Sequence, residues 1–287
     1  MRLVSFGPRG DERPGLLCGE NRVLDLSAAL PGQPRSLREL LAGGDLERVA
    51  ALGAPDARHV RALAGVRLGA PIPEPSKILC LGLNYRDHAE EQKKPVPAHP
   101  LVFPKVPSAV IAHREAIRLP DPVFETFVDP EAELAIVIGR RASRVPESAA
   151  YDHVAGYTIV NDVSGRDTQN AEKQWLRAKG FDTFAPMGPW LVTKDEIPDP
   201  HVLSISLRVN GELRQESNTL NLIFTVPFLV SYLSQTITLL PGDVIATGTP
   251  GGVGIYRQPP VRLAAGDVVT IEIAGIGVLE NPVETGG

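Results

Sequence analysis

The fold and the chemistry of this chain turn on two stretches, VDPEAELAIVIG at residues 128 to 139 and YTIVNDVSGRDTQ at residues 157 to 169, separated by a polar spacer. Glu131 and Glu133 stand two apart at the head of the apolar run Leu134, Ala135, Ile136, Val137, Ile138. A β-strand repeats every two residues, so this spacing points both carboxylates to one face. The run Tyr157, Thr158, Ile159, Val160 predicts a second strand, and Asp162 follows its end as a third carboxylate. Three converging carboxylates with no nearby histidine or cysteine ligand make a hard, all-oxygen site. Such a site favours Mg²⁺, Mn²⁺ or Ca²⁺ over Zn²⁺. The three alone carry −3, so a divalent ion leaves −1 and keeps coordination positions for water or a bidentate substrate.

Composition bounds the possibilities. The chain has 287 residues, 43% of them hydrophobic, which suits a globular protein with a large core. The net charge is −5 and no run of Lys or Arg stands out, which argues against nucleic-acid or anionic-membrane partners. Cys18 and Cys80 match no metal spacing and read as reduced thiols. The start, MRLVSFGPRGDERPG, lacks a charged segment followed by an apolar core, and no stretch reaches eighteen apolar residues, so a cytoplasmic protein is expected.

Residues 1 to 70 read as a small amino-terminal α+β domain: strands over Arg2–Phe6, Gly15–Cys18 and Arg22–Leu26, with a turn at Gly19, Glu20 and Asn21. Helices follow, one capped by Ser36 over Leu37–Leu41 and one capped by Asp45 over Leu46–Leu52. The prolines of Leu68–Ser76 suggest an inter-domain linker, and residues 71 to 287 form the second domain. There, Lys77–Gly82 reads as a strand, after which Asn84 or Asp87 caps a helix carrying His88 and Glu91. These two are i and i+3, so the carboxylate can fix the imidazole tautomer as a general base requires. A single helix is expected over Thr168–Arg177, and a hairpin with a type I′ turn at Asn210-Gly211. Thr225 should cap a further helix, Asp243–Ala246 is a strand running into a glycine-rich turn, and Val268–Ile273 closes the chain's sheet. Lys105 reads as structural, and Arg166 with Asp167 as a charge pair bracing its loop. Pro130, which lacks a donor, marks an edge at its strand end.

The segments NYRDHAEE (84 to 91), DPEAELAIVIG (129 to 139), NDVSGRDTQ (161 to 169), DTFAPMGPW (182 to 190) and PGDVIATGTPGGVG (241 to 254) together resemble the fumarylacetoacetate hydrolase superfamily. The resemblance implies a mixed α/β, β-rich fold, a β-sandwich roll, in an enzyme that is usually a homodimer. It assigns Glu131, Glu133 and Asp162 to Mg²⁺ or Mn²⁺, His88 and Glu91 to a catalytic dyad, and Lys179 to a position facing the metal. It further implies that Gln169, Gly248 and Thr249 bind a keto-acid substrate. Leu81 stands where the fumarylacetoacetate hydrolases proper have a fourth ligand, so the shorter acylpyruvate hydrolase and decarboxylase branch is the better match. The leading expectation is therefore hydrolysis of a C–C bond in a 2,4-diketo acid to pyruvate and a carboxylic acid. In that reading His88 with Glu91 activates water, and Lys179 offsets the residual −1 of the metal cluster and holds the oxyanion. Oxaloacetate-type decarboxylation and hydroxymuconate-type isomerisation need the same enolate and stay open, as does a non-catalytic anion-binding protein.

Overall fold

The computed structural model describes residues 1–19, 21–53 and 56–286; the expected turn residue Glu20 lies outside them. The strand Ala132–Ile138 is buried along its whole length and lies between Val154–Asn161 and Val244–Ala246. Leu134, Ile136 and Ile138 face one core while Ala135 and Val137 face another. This two-sided burial is why the segment reads as an unbroken apolar run and not as an alternation. Pro130 sits in the break between Val128–Asp129, one of the two strands of a short ladder with Ser164–Gly165, and Ala132, where no ladder donor is required.

Among the described residues, the sheet built around this strand has twelve strands. Its main path runs Val60–Ala62, Arg22–Asp25, Arg13–Leu17, Arg2–Phe6, Ala185–Thr193, Val154–Asn161, Ala132–Ile138, Val244–Ala246, Ile78–Gly82, Leu101–Lys105. A five-stranded sheet, Glu212–Asn218, Ser204–Val209, Val268–Ile273, Gly277–Thr285 and Ile117–Leu119, packs against it. Ile205, Leu207, Ile271 and Leu279 from the second sheet share a core with Leu134, Ile136 and Ile159 of the first, which makes the molecule a strand-rich sandwich of the mixed α/β class.

The amino-terminal strands continue the large sheet, because Arg2 and Leu3 pair with Val192 and Leu191. The segment expected to be a linker is packed structure: Leu68–Gly69 pairs with Ser5 and Phe6, and Pro71 and Ile72 are buried. Ser36 caps Leu37–Ala42 as expected, accepting from the Glu39 N–H at 3.1 Å. Asp45 and Thr225 make no side-chain cap. Asp45 pairs with Arg48 at 2.9 Å, and the Val226 N–H at the start of Val226–Ser234 donates to His201 Nε2 at 3.1 Å. The hairpin turn is as expected, with Asn210 and Gly211 at φ 52° and 80°. Gly277–Thr285, not Val268–Ile273, is the closing strand; its Asn, Pro and Glu residues hide it from propensity. Among the described residues no helix is long and apolar enough to cross a membrane.

Candidate functional site

Pairing register assembles the carboxylates. Ala132 lies opposite Asn161, so the next residue, Asp162, falls beside Glu131. Two bonds fix that corner: the Asp162 N–H donates to the Glu131 carbonyl at 2.9 Å, and the Glu131 N–H donates to Asn161 Oδ1 at 3.0 Å. Glu131, Glu133 and Asp162 are all buried, and one ligand oxygen from each lies within 4.8 Å of the others.

Bases surround this cluster more closely than the sequence suggested. Lys179 Nζ donates to Glu131 Oε2 and to Asp162 Oδ2, both at 2.7 Å. Lys105, expected to be structural, is buried with Nζ donating to Asp162 Oδ1 at 2.6 Å and to the Val163 carbonyl at 3.0 Å. Arg166 does not pair with Asp167. Its guanidinium binds Asp129 and Glu131 and donates to Gln169 Oε1 at 2.7 Å, while Asp167 accepts from Thr126. Four carboxylates, counting Asp129, thus face three bases. With all seven groups charged their sum is −1, and a divalent ion would bring it to +1.

Burial alone would raise Glu131, but Lys179 and Arg166 outweigh it and hold the carboxyl well below its usual range. For Lys179 burial opposes the charge, and Asp162 and Glu131 more than restore it. Glu133 is the exception. Burial, then Asp162 and Glu131, push it well above the ordinary range, and among the described residues it joins no ion pair, accepting only from the Gly248 N–H at 2.8 Å. An uncompensated buried carboxylate beside two others, in an all-oxygen donor set, fits a hard divalent cation such as Mg²⁺ or Mn²⁺. Leu81 adds no fourth ligand; it lines the cavity as apolar surface.

The helix Arg86–Glu91 carries the dyad. Neither Asn84 nor Asp87 supplies its N-cap. Asn84 instead ties loops together, donating to the Phe224 and Thr247 carbonyls at 3.2 and 2.7 Å. Asp87 accepts from the Gly251 N–H at 3.3 Å. His88 Nδ1 lies 3.0 Å from Glu91 Oε2, and Glu91 Oε1 accepts from the Gly252 N–H at 2.9 Å. The Gln92 amide lies 2.7 Å from His88 Nε2. With Nδ1–H directed at the carboxylate, Nε2 carries the lone pair of a base. Tyr256, which the sequence did not single out, stands edge-on to His88 with ring centroids 5.9 Å apart.

The glycine-rich turn donates backbone N–H groups to Glu133 and Glu91. Gly248 donates its N–H to Glu133 at φ 98°, and a Cβ there would meet Asn84 Cβ at 2.9 Å. Thr249 faces the cavity, its Oγ1 accepting from the buried Gln215 amide at 2.8 Å. Gly252 has φ 98°, and a Cβ would lie 2.2 Å from the Arg214 carbonyl. Gly252→Ala should therefore destabilise the fold by about 2 kcal/mol or more, through strain and overpacking together. It should also loosen Glu91. A melting temperature equal to the parent's would show that the turn is not held as described.

Residues from all these elements enclose a cavity of about 200 Å³. His88, Lys179, Glu131, Glu133, Gln169 and Thr249 all line it, so the residues picked from separate motifs meet in one place. Trp175 lines it too, set edge-on to Phe103 at 5.3 Å. The helix expected over Thr168–Arg177 is broken into Arg166–Ala171 and Leu176–Lys179, with Glu172 extended, and the break lets both Arg166 and Lys179 turn inward.

Residues 77–284 match the family described as Fumarylacetoacetate (FAA) hydrolase C-terminal. The mitochondrial oxaloacetate tautomerase of Xenopus laevis is 46% identical over 289 residues, covering 99% of this chain and 90% of the relative. Among solved structures, 5-carboxymethyl-2-hydroxymuconate delta-isomerase from Mycobacterium smegmatis is 38% identical with a TM-score of 0.79, covering 100% of both chains. Maleylpyruvate hydrolase from Sphingobium, solved with manganese(II) and pyruvate, is 31% identical with a TM-score of 0.79, again covering 100% of both chains. With the sandwich fold, the acidic cluster and these full-length likenesses in agreement, the chain belongs to the fumarylacetoacetate hydrolase family.

Proposed function

We propose that this protein interconverts the keto and enol forms of oxaloacetate or a closely similar 2-oxo acid. The observation that carries the reading is the engagement of Lys179. Hydrolysis of a diketo acid needs an oxyanion donor at the distal carbonyl. Two of the three Nζ donors of Lys179 are held by Glu131 and Asp162 at 2.7 Å, and Nζ also lies 5.0 Å from the centroid of the Phe103 ring. Tautomerisation needs no such donor, only a base at carbon and stabilisation of the enolate. Hydrolytic C–C cleavage, the reading the sequence favoured, accordingly has less support. The likeness to an oxaloacetate tautomerase over nearly the whole chain points the same way.

In this reading His88 Nε2 takes the C3 proton as the C3–H electron pair moves into a C2–C3 double bond and the carbonyl π pair moves onto the 2-oxo oxygen, which then takes a proton from solvent as His88 returns its own to solvent. Glu91 holds the Nδ1–H and stabilises the transient imidazolium. Gln92 must swing from Nε2 to admit the substrate. A divalent ion held by Glu131, Glu133 and Asp162 would supply a Lewis acid for the 2-oxo group. Lys105, Lys179 and Arg166 hold Glu131 and Asp162 in place. Thr249 and Gln169 offer polar groups to the substrate carboxylate.

The test follows the ultraviolet absorbance of enol oxaloacetate, with pyruvate measured in parallel, in Mg²⁺ or Mn²⁺ and after chelation. The expected result is a metal-dependent acceleration of enol loss without matching pyruvate. Stoichiometric pyruvate would establish a decarboxylase, and consumption of acylpyruvates alone would restore the hydrolase.

A further inference from the structure

Three cationic side chains line the active-site cavity: Arg166, Lys179 and Lys94. The first two are engaged, Arg166 by Asp129 and Glu131, and Lys179 by Glu131 and Asp162. Lys94 joins no ion pair among the described residues and is exposed at the cavity's edge. Its position follows from how the dyad helix ends. The Lys93 N–H donates to the Glu90 carbonyl and the Lys94 N–H to the Ala89 carbonyl, both at 2.9 Å. These are the paired bonds of a Schellman turn, whose left-handed position usually holds glycine. Here it holds Lys93, at φ 54°. A non-glycine residue at positive φ is uncommon and mildly strained. The turn folds residue 94 back alongside the helix end, so Lys94 lines the same cavity as His88 and Gln92.

We infer that Lys94 selects substrates that carry a second carboxylate, so that the protein takes 2-oxo dicarboxylic acids in preference to 2-oxo monoacids. The inference rests on the tautomerase reading only for which end of the molecule reacts. The buried end of the cavity, with its carboxylate cluster and Thr249, receives the 2-oxo acid group. A cavity of about 200 Å³ leaves room for a short diacid, whose distal carboxylate then lies near the rim. There it meets the one lining cation without a carboxylate partner among the described residues. Because Lys94 is exposed to solvent, its contribution is that of a screened ion pair, about two- to fivefold in affinity.

The experiment is calorimetric binding to the Mn²⁺-loaded protein of two probes, pyruvate and the non-enolisable 3,3-difluoro-oxaloacetate, in the parent, Lys94→Ala and Lys94→Arg. The expected result is about two- to fivefold weaker binding of the diacid in Lys94→Ala, unchanged pyruvate binding, and recovery of the diacid in Lys94→Arg. Equal losses for both probes, or no loss for either, would overturn the inference. A protein that shows this Lys94 dependence yet fails to tautomerise oxaloacetate upholds the inference and refutes only the reaction assigned above.

Discussion

Glu133→Gln is expected to remove divalent-metal binding and turnover together. Weakening a ligand's outer partner costs about 10- to 100-fold in metal affinity or activity, so loss of a ligand's charge should exceed that range. Glu133 is the sharpest choice because Glu131 and Asp162 retain basic partners without a metal, whereas Glu133 has none among the described residues. The same fact predicts the opposite effect on the metal-free protein. Burial and two neighbouring carboxylates raise the Glu133 carboxyl in the folded state. A carboxyl raised on folding binds protons more tightly when folded, so its contribution to stability is present at low pH and is lost as pH rises from the unfolded value through the folded one. Without metal, the parent should therefore lose melting temperature as pH rises above the ordinary carboxylate range, and Glu133→Gln should lose less. Added Mn²⁺ should raise the parent's melting temperature by mass action and leave the variant's unchanged. Full Mn²⁺ stabilisation in the variant would remove Glu133 from the metal site.

His88→Ala should lower kcat by about 10²- to 10⁴-fold with metal affinity nearly unchanged. The variant removes the single imidazole in the cavity and leaves the carboxylate cluster intact. Glu91→Ala should lower kcat by a smaller but similar factor, since Glu91 acts through the imidazole it orients at 3.0 Å. The double variant should be no slower than His88→Ala, because residues that act as one unit are non-additive. Exchange of the C3 hydrogens of oxaloacetate with deuterated solvent isolates the proton transfer from any later step. Undiminished exchange in His88→Ala would place the base elsewhere, with Tyr256, 5.9 Å from the His88 ring, the first group to examine.

Some of this was legible in the one-dimensional chain. Glu131, Glu133 and Asp162 could be read as one site because strand periodicity and the end of an apolar run are local properties. His88 and Glu91 could be paired because i and i+3 share a helix face whatever surrounds the helix. The hairpin at Asn210-Gly211 was equally local, since those two residues tolerate the left-handed backbone a tight turn requires. Tertiary structure alone decided the rest. Lys105 is 57 residues from Asp162 in the chain, and only the pairing of Leu101–Lys105 with Ile78–Gly82 brings its ammonium beneath the cluster. Arg166 reads as a partner for its neighbour Asp167 until Asp129 arrives from a different strand. Lys179, expected to offset the cluster's residual charge and to hold an oxyanion, donates to Glu131 and to Asp162 because a buried charge must be paired where it lies, and no local pattern reports which carboxylates lie across a sheet. The sequence by itself pointed to side chains that the fold brings together around one cavity; the three-dimensional pairing of charges decided which of them are engaged by one another, because electrostatic engagement depends on distance in space and not on separation along the chain.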